Sequence, residues 1–123
     1  MVKYWIMLEY ELKEGIINIQ LIIINKFTNL EKMFTKCVSL KNIEELKYLN
    51  TKEVNNFSGM FWECLSLSDI KALENWNVSN WKYFSSMFNE CSTLSNIKAL
   101  QNWNVSNGNI FLTCSDGVLH YQI

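Results

Sequence analysis

Residues 50–76 read NTKEVNNFSGMFWECLSLSDIKALENW, and residues 77–103 read NVSNWKYFSSMFNECSTLSNIKALQNW. The two stretches agree at 15 of 27 positions, among them Met60-Phe61 with Met87-Phe88, Cys64 with Cys91, and Ile70-Lys71-Ala72-Leu73 with Ile97-Lys98-Ala99-Leu100. The same period runs backward. Met33-Phe34, Cys37, Ser39-Leu40, Ile43 and Leu46 stand one period before their counterparts, and Ile16, Ile19 and Ile22 continue a fainter echo. A fixed period of this length predicts units that stack and bury a common core only against one another.

Within each unit the apolar residues Phe57, Met60, Phe61 and Cys64, and again Phe84, Met87, Phe88 and Cys91, fall at i, i+3, i+4 and i+7. That spacing predicts one buried face of a short helix. Leu30, Met33, Phe34 and Cys37 repeat it, with polar or small residues such as Ser58, Gly59, Glu63 and Asn89 between. After the cysteine comes Leu67-x-x-Ile70-x-Ala72 and then Asn75, a frame in which a short strand precedes an Asn that bonds the turning backbone. Strands are therefore expected near Ser68 to Leu73 and near Ser95 to Leu100. The fold class expected is an α/β repeat solenoid, leucine-rich-repeat-like, with one short helix and one short strand per 27-residue repeat.

The elements Met-Phe-x-x-Cys-x-x-Leu-x-x-Ile and Asn-Trp-Asn-Val-Ser-Asn recur in one order at Met60 to Ile70, Asn75 to Asn80, Met87 to Ile97 and Asn102 to Asn107. They resemble the BspA-like leucine-rich repeats of surface and secreted proteins, over about residues 16–111. The resemblance implies binding of a protein or a cell-surface ligand, not catalysis, and a surface or secreted location. The frame departs from the usual leucine-rich pattern where Glu45, Ala72 and Ala99 fill the third apolar slot.

Composition narrows the partners. The net charge is −1, the 11 basic residues are all lysines scattered singly, and no arginine is present, so neither a phosphate-tracking stripe nor a bidentate base reader is available. Nucleic acid is thus excluded as an expected partner. The longest apolar run, Ile16 to Ile24, is interrupted by Asn18 and Gln20 and falls short of the roughly 20 residues of a membrane span. No signal peptide is readable in the first residues, where Glu9 cuts off the apolar run and no small-residue cleavage site follows. Proline is absent while Asn, Ile, Lys and Phe abound, which fits an A+T-rich gene.

Three segments are expected. Residues 1–24, with β-prone Tyr4 to Leu12 and Ile17 to Ile23 about a Lys13-Glu14-Gly15 turn, form a capping hairpin or a degenerate rung. Residues 25–111 carry about three repeats. Residues 112–123 form a non-repeat tail: Phe111 is in register with Phe84, but Cys114 and Val118 stand where the frame calls for methionine and cysteine. Synonymous codons for this tail exist that restore the repeat's Met, Phe, Cys and Leu slots when one T follows the Phe111 codon. The tail is therefore expected to be out of frame, and the chain a fragment of a longer repeat protein or the product of a damaged gene without evolved activity. Such an end would lack a cap and invite self-association.

Cys37, Cys64 and Cys91, spaced at the repeat period, are expected to stack as buried structural thiols, with no metal and no cofactor. Cys114 and His120 fall in the tail and carry no catalytic expectation. Asn56-Phe57-Ser58, Asn77-Val78-Ser79 and Asn104-Val105-Ser106 match the N-glycosylation pattern, with corner chemistry at Asn77, Ser79 and Asn80 the simpler reading. Trp76 and Trp103 recur in register and are expected as core or half-buried spacers. Trp62 and Trp81 have no Trp one period later and are expected as exposed contact aromatics. Outward positions, chiefly Asp69, Lys71, Asn96 and Lys98 with Asn42, Glu44, Ser68 and Ser95, are expected to line the interaction face. No converging acids, bases or nucleophiles at unique positions suggest an enzyme.

Overall fold

A computed structural model describes the backbone of residues 4–12, 15–23, 27–103, 110–114 and 117–121, and the side chains of residues 27–103. Strands β1 (Tyr4–Leu12) and β2 (Gly15–Ile23) pair antiparallel over their whole length, from Tyr4 opposite Ile23 to Leu12 opposite Gly15. β1 also pairs antiparallel with the short β3 (Leu40–Asn42), giving a sheet in the order β2-β1-β3. Lys13 and Glu14 of the expected turn lie outside the described residues. Three 3-10 helices follow, η1 (Glu44–Tyr48), η2 (Lys71–Leu73) and η3 (Lys98–Leu100), one per unit. β4 (Ile110–Cys114) and β5 (Gly117–Tyr121) close the described chain as an antiparallel hairpin.

Successive units lie one on another, and the backbone shows how. Amides of Leu30, Lys32, Phe34 and Lys36 donate to the carbonyls of Asn56, Ser58, Met60 and Trp62 at 2.7–3.0 Å. Those of Phe57, Gly59, Phe61 and Glu63 donate in turn to Tyr83, Ser85, Met87 and Asn89 at 2.7–3.0 Å. The intervening amides of Met33, Thr35 and Cys37, and of Met60, Trp62 and Cys64, bond back to the carbonyl three residues earlier. Alternate peptides thus serve the next unit and the local turn, so both sets of donors are satisfied.

This is not the short helix that the i, i+3, i+4, i+7 spacing predicts. A helix would spend every amide on its own carbonyls; here half of them leave for the neighbouring unit. Backbone φ is positive at two positions per unit, Lys32 and Lys36 (56° and 62°), Gly59 and Glu63 (61° and 58°), and Ser86 and Glu90 (56° and 59°). A left-handed residue every fourth position makes a run of linked tight turns, whose buried side recurs at nearly the spacing of a helical face. The strands expected near Ser68 to Leu73 and Ser95 to Leu100 are also absent, replaced by η2 and η3. Asp69 and Asn96 bond the backbone two residues on and turn it, which competes with extension. Only the equivalent segment of the first unit, β3, is extended, and it has β1 as a partner.

The core is a set of columns one period apart. Phe34, Phe61 and Phe88 stack with ring centroids 5.5 Å apart at each step and planes within 17° and 6° of parallel. Ile43, Ile70 and Ile97, and Leu46, Leu73 and Leu100, are buried beneath the 3-10 turns. Aromatic pairs of this kind contribute about 0.5–1.5 kcal/mol each beyond the area they bury. In the third unit Phe88, Cys91 and Trp103 are at most 2% exposed.

Candidate interaction face

Each 3-10 turn is set by an acceptor side chain two residues ahead of it. Asn42 Oδ1 accepts from the Glu44 amide at 2.8 Å, Asp69 Oδ1 from Lys71 at 2.8 Å, and Asn96 Oδ1 from Lys98 at 3.0 Å. Between acceptor and turn, Ile43, Ile70 and Ile97 point inward. The exposed positions of the three turns form one surface with two shallow grooves between successive units. The first is lined by Lys41, Asn42, Glu44, Lys47, Asp69 and Lys71 over Ile43 and Ala72. The second is lined by Ser68, Asp69, Lys71, Glu74, Asn96 and Lys98 over Ile70 and Ala99.

Asp69, Lys71, Asn96 and Lys98 therefore meet along one groove, although on 3-10 turns and not on strands. Asp69 and Asn96 have a structural task there as well, which leaves the two lysines as its freely directed cations. Walls of both signs stand on a floor of small apolar atoms, so the face suits a polar, mixed-charge surface better than a phosphate chain. Glu44 and Lys47 pair at 2.7 Å on the rim. Their hydrogen bond holds the Glu44 carboxyl below its usual range and raises the Lys47 ammonium above its own. The pair is solvent-exposed, and such pairs are weak.

Trp62 and Trp81 do not join this face. Trp81 is only 8% exposed and packs against Phe57 at 3.9 Å between centroids and edge-on against Trp103 at 4.6 Å. Its expected role as an exposed contact aromatic is overturned by that packing. The position one period earlier is Val54, fully buried, and that apolar predecessor is the sequence signal that points Trp81 inward. Trp62 is half-buried, at a position filled by Thr35 in the first unit and Asn89 in the third.

Several polar groups missed by the sequence reading tie the units together. Trp76 Nε1 donates to the Leu46 carbonyl at 2.8 Å, and Trp103 Nε1 to Leu73 at 3.0 Å, each reaching back 30 residues. Asn75, expected to bond the turning backbone, is exposed and makes no hydrogen bond among the described residues. The thiols of Cys64 and Cys91 donate at 3.1 Å to the carbonyls of Phe34 and Phe61. Both are buried, Cys37 is half-buried, and none of the three is in a disulfide. Buried Thr51 donates to the Asn77 carbonyl at 3.0 Å.

Repetition, inter-unit bonding and the residues that carry both run through most of the chain. The chain belongs to the family described as Mycoplasma protein of unknown function, DUF285. The match to this family covers residues 10–114. No curated protein and no solved structure matches the chain. Among the described residues no group of three or more His, Cys, Asp or Glu could hold a metal ion, and no helix is long and apolar enough to cross a membrane. The side chains of Cys114 and His120 lie outside the described residues, as do Asn104 to Asn107.

Proposed function

We propose that this member of the family is a repeat solenoid, related to BspA-like leucine-rich repeats, that binds a protein or a cell-surface ligand without catalysing a reaction. Its binding surface is the face of 3-10 turns around Lys71 and Lys98. The observation that carries the reading is the contrast between inner and outer positions of those turns. The inner columns stay Ile43, Ile70, Ile97 and Leu46, Leu73, Leu100, while the outer ones change from Glu44 to Lys71 and Lys98, and from Lys47 to Glu74 and Gln101. Repeat stacks hold the core residues fixed and vary an extended surface, which is how such proteins acquire partners.

The experiment is saturable binding of the labelled full chain to intact cells and to protease-treated cells, repeated with the Lys71→Glu/Lys98→Glu double variant. Both lysines are exposed, so the variant should keep the wild-type circular dichroism. Saturable, protease-sensitive binding that weakens at least tenfold in the variant is the expected result. Non-saturable binding, or equal binding by the variant, overturns the reading.

A further inference from the structure

Two of the three Asn-x-Ser matches, at Asn56 and Asn77, lie among the described residues, and their surroundings differ. Asn77 and Ser79 are both exposed. Asn77 Oδ1 accepts from the Ser79 amide at 3.1 Å and from the Ser79 hydroxyl at 2.7 Å. Both bonds fall on the carboxamide oxygen. Nδ2 makes none among the described residues, and the two donors on Oδ1 draw electron density from it and make its N–H more acidic. At Asn56 the arrangement differs: Oδ1 accepts only the Ser58 amide at 3.0 Å, and Nδ2 donates to Glu31 Oε2 at 3.2 Å. Asn56 and Ser58 are half-buried, and Asn56 bridges the units on either side of it, to Asn29 and Tyr83.

We propose that Asn77 is an N-glycosylation site of the folded chain, taking a sugar from a phosphate-activated glycosyl donor, and that Asn56 is protected. The acceptor pattern is a surface-loop signal, and of the two matches among the described residues only Asn77 combines it with an exposed, unengaged Nδ2. In the transfer the Nδ2–C1 bond forms as the bond from C1 to the donor's phosphate oxygen breaks. Nδ2 releases one proton, the phosphate leaves with the electron pair, and nothing is oxidised or reduced.

The test treats the purified, folded full chain with a soluble N-glycosyltransferase and a nucleotide-activated hexose, and locates the product by peptide mass mapping. Hexose appears at Asn77 and is lost in Asn77→Gln and in Ser79→Ala, while Asn56→Gln leaves the yield at Asn77 unchanged. A free peptide of residues 52–62 accepts hexose at Asn56, which shows that its protection comes from the fold. The proposal is overturned if the folded chain takes no hexose at Asn77 while a free peptide of residues 73–83 does. Modification of Asn56 in the folded chain at a rate equal to Asn77 also overturns it.

Discussion

Replacing Gly59 by alanine separates two accounts of the same segment by the sign of its effect. In a helix, glycine to alanine stabilises by about 0.8–1.0 kcal/mol. In the structure Gly59 has φ 61°, in the left-handed region where a Cβ costs about 1–2 kcal/mol. Space is not the obstacle, because the nearest atom to an added Cβ is the Lys32 Cγ at 3.4 Å. Alanine recovers roughly 0.4–1 kcal/mol by restricting the unfolded chain, so the net loss is about 1 kcal/mol, or about 4 °C in Tm for a domain of this size. Ser86, one period on at φ 56°, gives the mirror experiment. Ser86→Gly relieves the strain and raises stability by a similar amount. Urea unfolding followed by the fluorescence of buried Trp76, Trp81 and Trp103 reads both variants. Stabilisation by Gly59→Ala together with destabilisation by Ser86→Gly would refute the linked-turn geometry and restore the helix.

Phe61, fully buried between two stacked rings, should lose about 3–5 kcal/mol on replacement by alanine, enough to unfold much of the chain at 37 °C by circular dichroism. Trp76→Phe keeps most of the apolar volume but leaves the buried Leu46 carbonyl without its indole donor, a loss of about 1–3 kcal/mol by urea denaturation. Native-state alkylation should modify Cys37 before Cys64 and Cys91, which react only when the chain opens, as read by mass mapping over time. Burial, and then neighbouring Cys91 and Cys37, push the Cys64 thiol up to about 12 from an ordinary value of 9.0. The folded chain keeps a proton that the unfolded chain gives up first, so this contribution is complete below pH 9 and is lost as pH rises toward 12. Thermal melts at pH 8 and pH 10.5 should therefore converge more for Cys64→Ala than for the wild type.

The stacking and most of the core were legible because periodicity acts on burial directly: a residue identical at 27 and 54 residues' remove meets its own copies across each interface. That arithmetic finds the Phe34, Phe61 and Phe88 column without any knowledge of backbone conformation. Conformation itself was not legible, since a left-handed residue every fourth position and a helical turn bury nearly the same set of positions. The discriminating signal is weak, for only Gly59 among the six left-handed positions advertises its φ, while Lys32, Lys36, Glu63, Ser86 and Glu90 read as ordinary helix-surface residues. Inter-unit amide bonds, each worth about 0.5–1.5 kcal/mol, hold Lys32, Lys36 and Glu63 in a region they otherwise avoid.

The candidate face was found for a reason partly different from the one that makes it a face. In the sequence Asp69 and Asn96 read as outward strand positions, yet they stay at the surface because their carboxyl and carboxamide oxygens turn the backbone and lift the following lysines clear of the core. This gives the face a property that a strand would lack. Exchanging Lys71 or Lys98 changes only the groove, whereas exchanging Asp69 or Asn96 removes the acceptor that shapes it. Lys71→Glu and Asp69→Ala should therefore both weaken binding, but only Asp69→Ala should also lower the unfolding midpoint, by about 1 kcal/mol as for loss of other backbone caps. Equal midpoints for the two variants would mean that the Asp69 oxygen does not hold the turn.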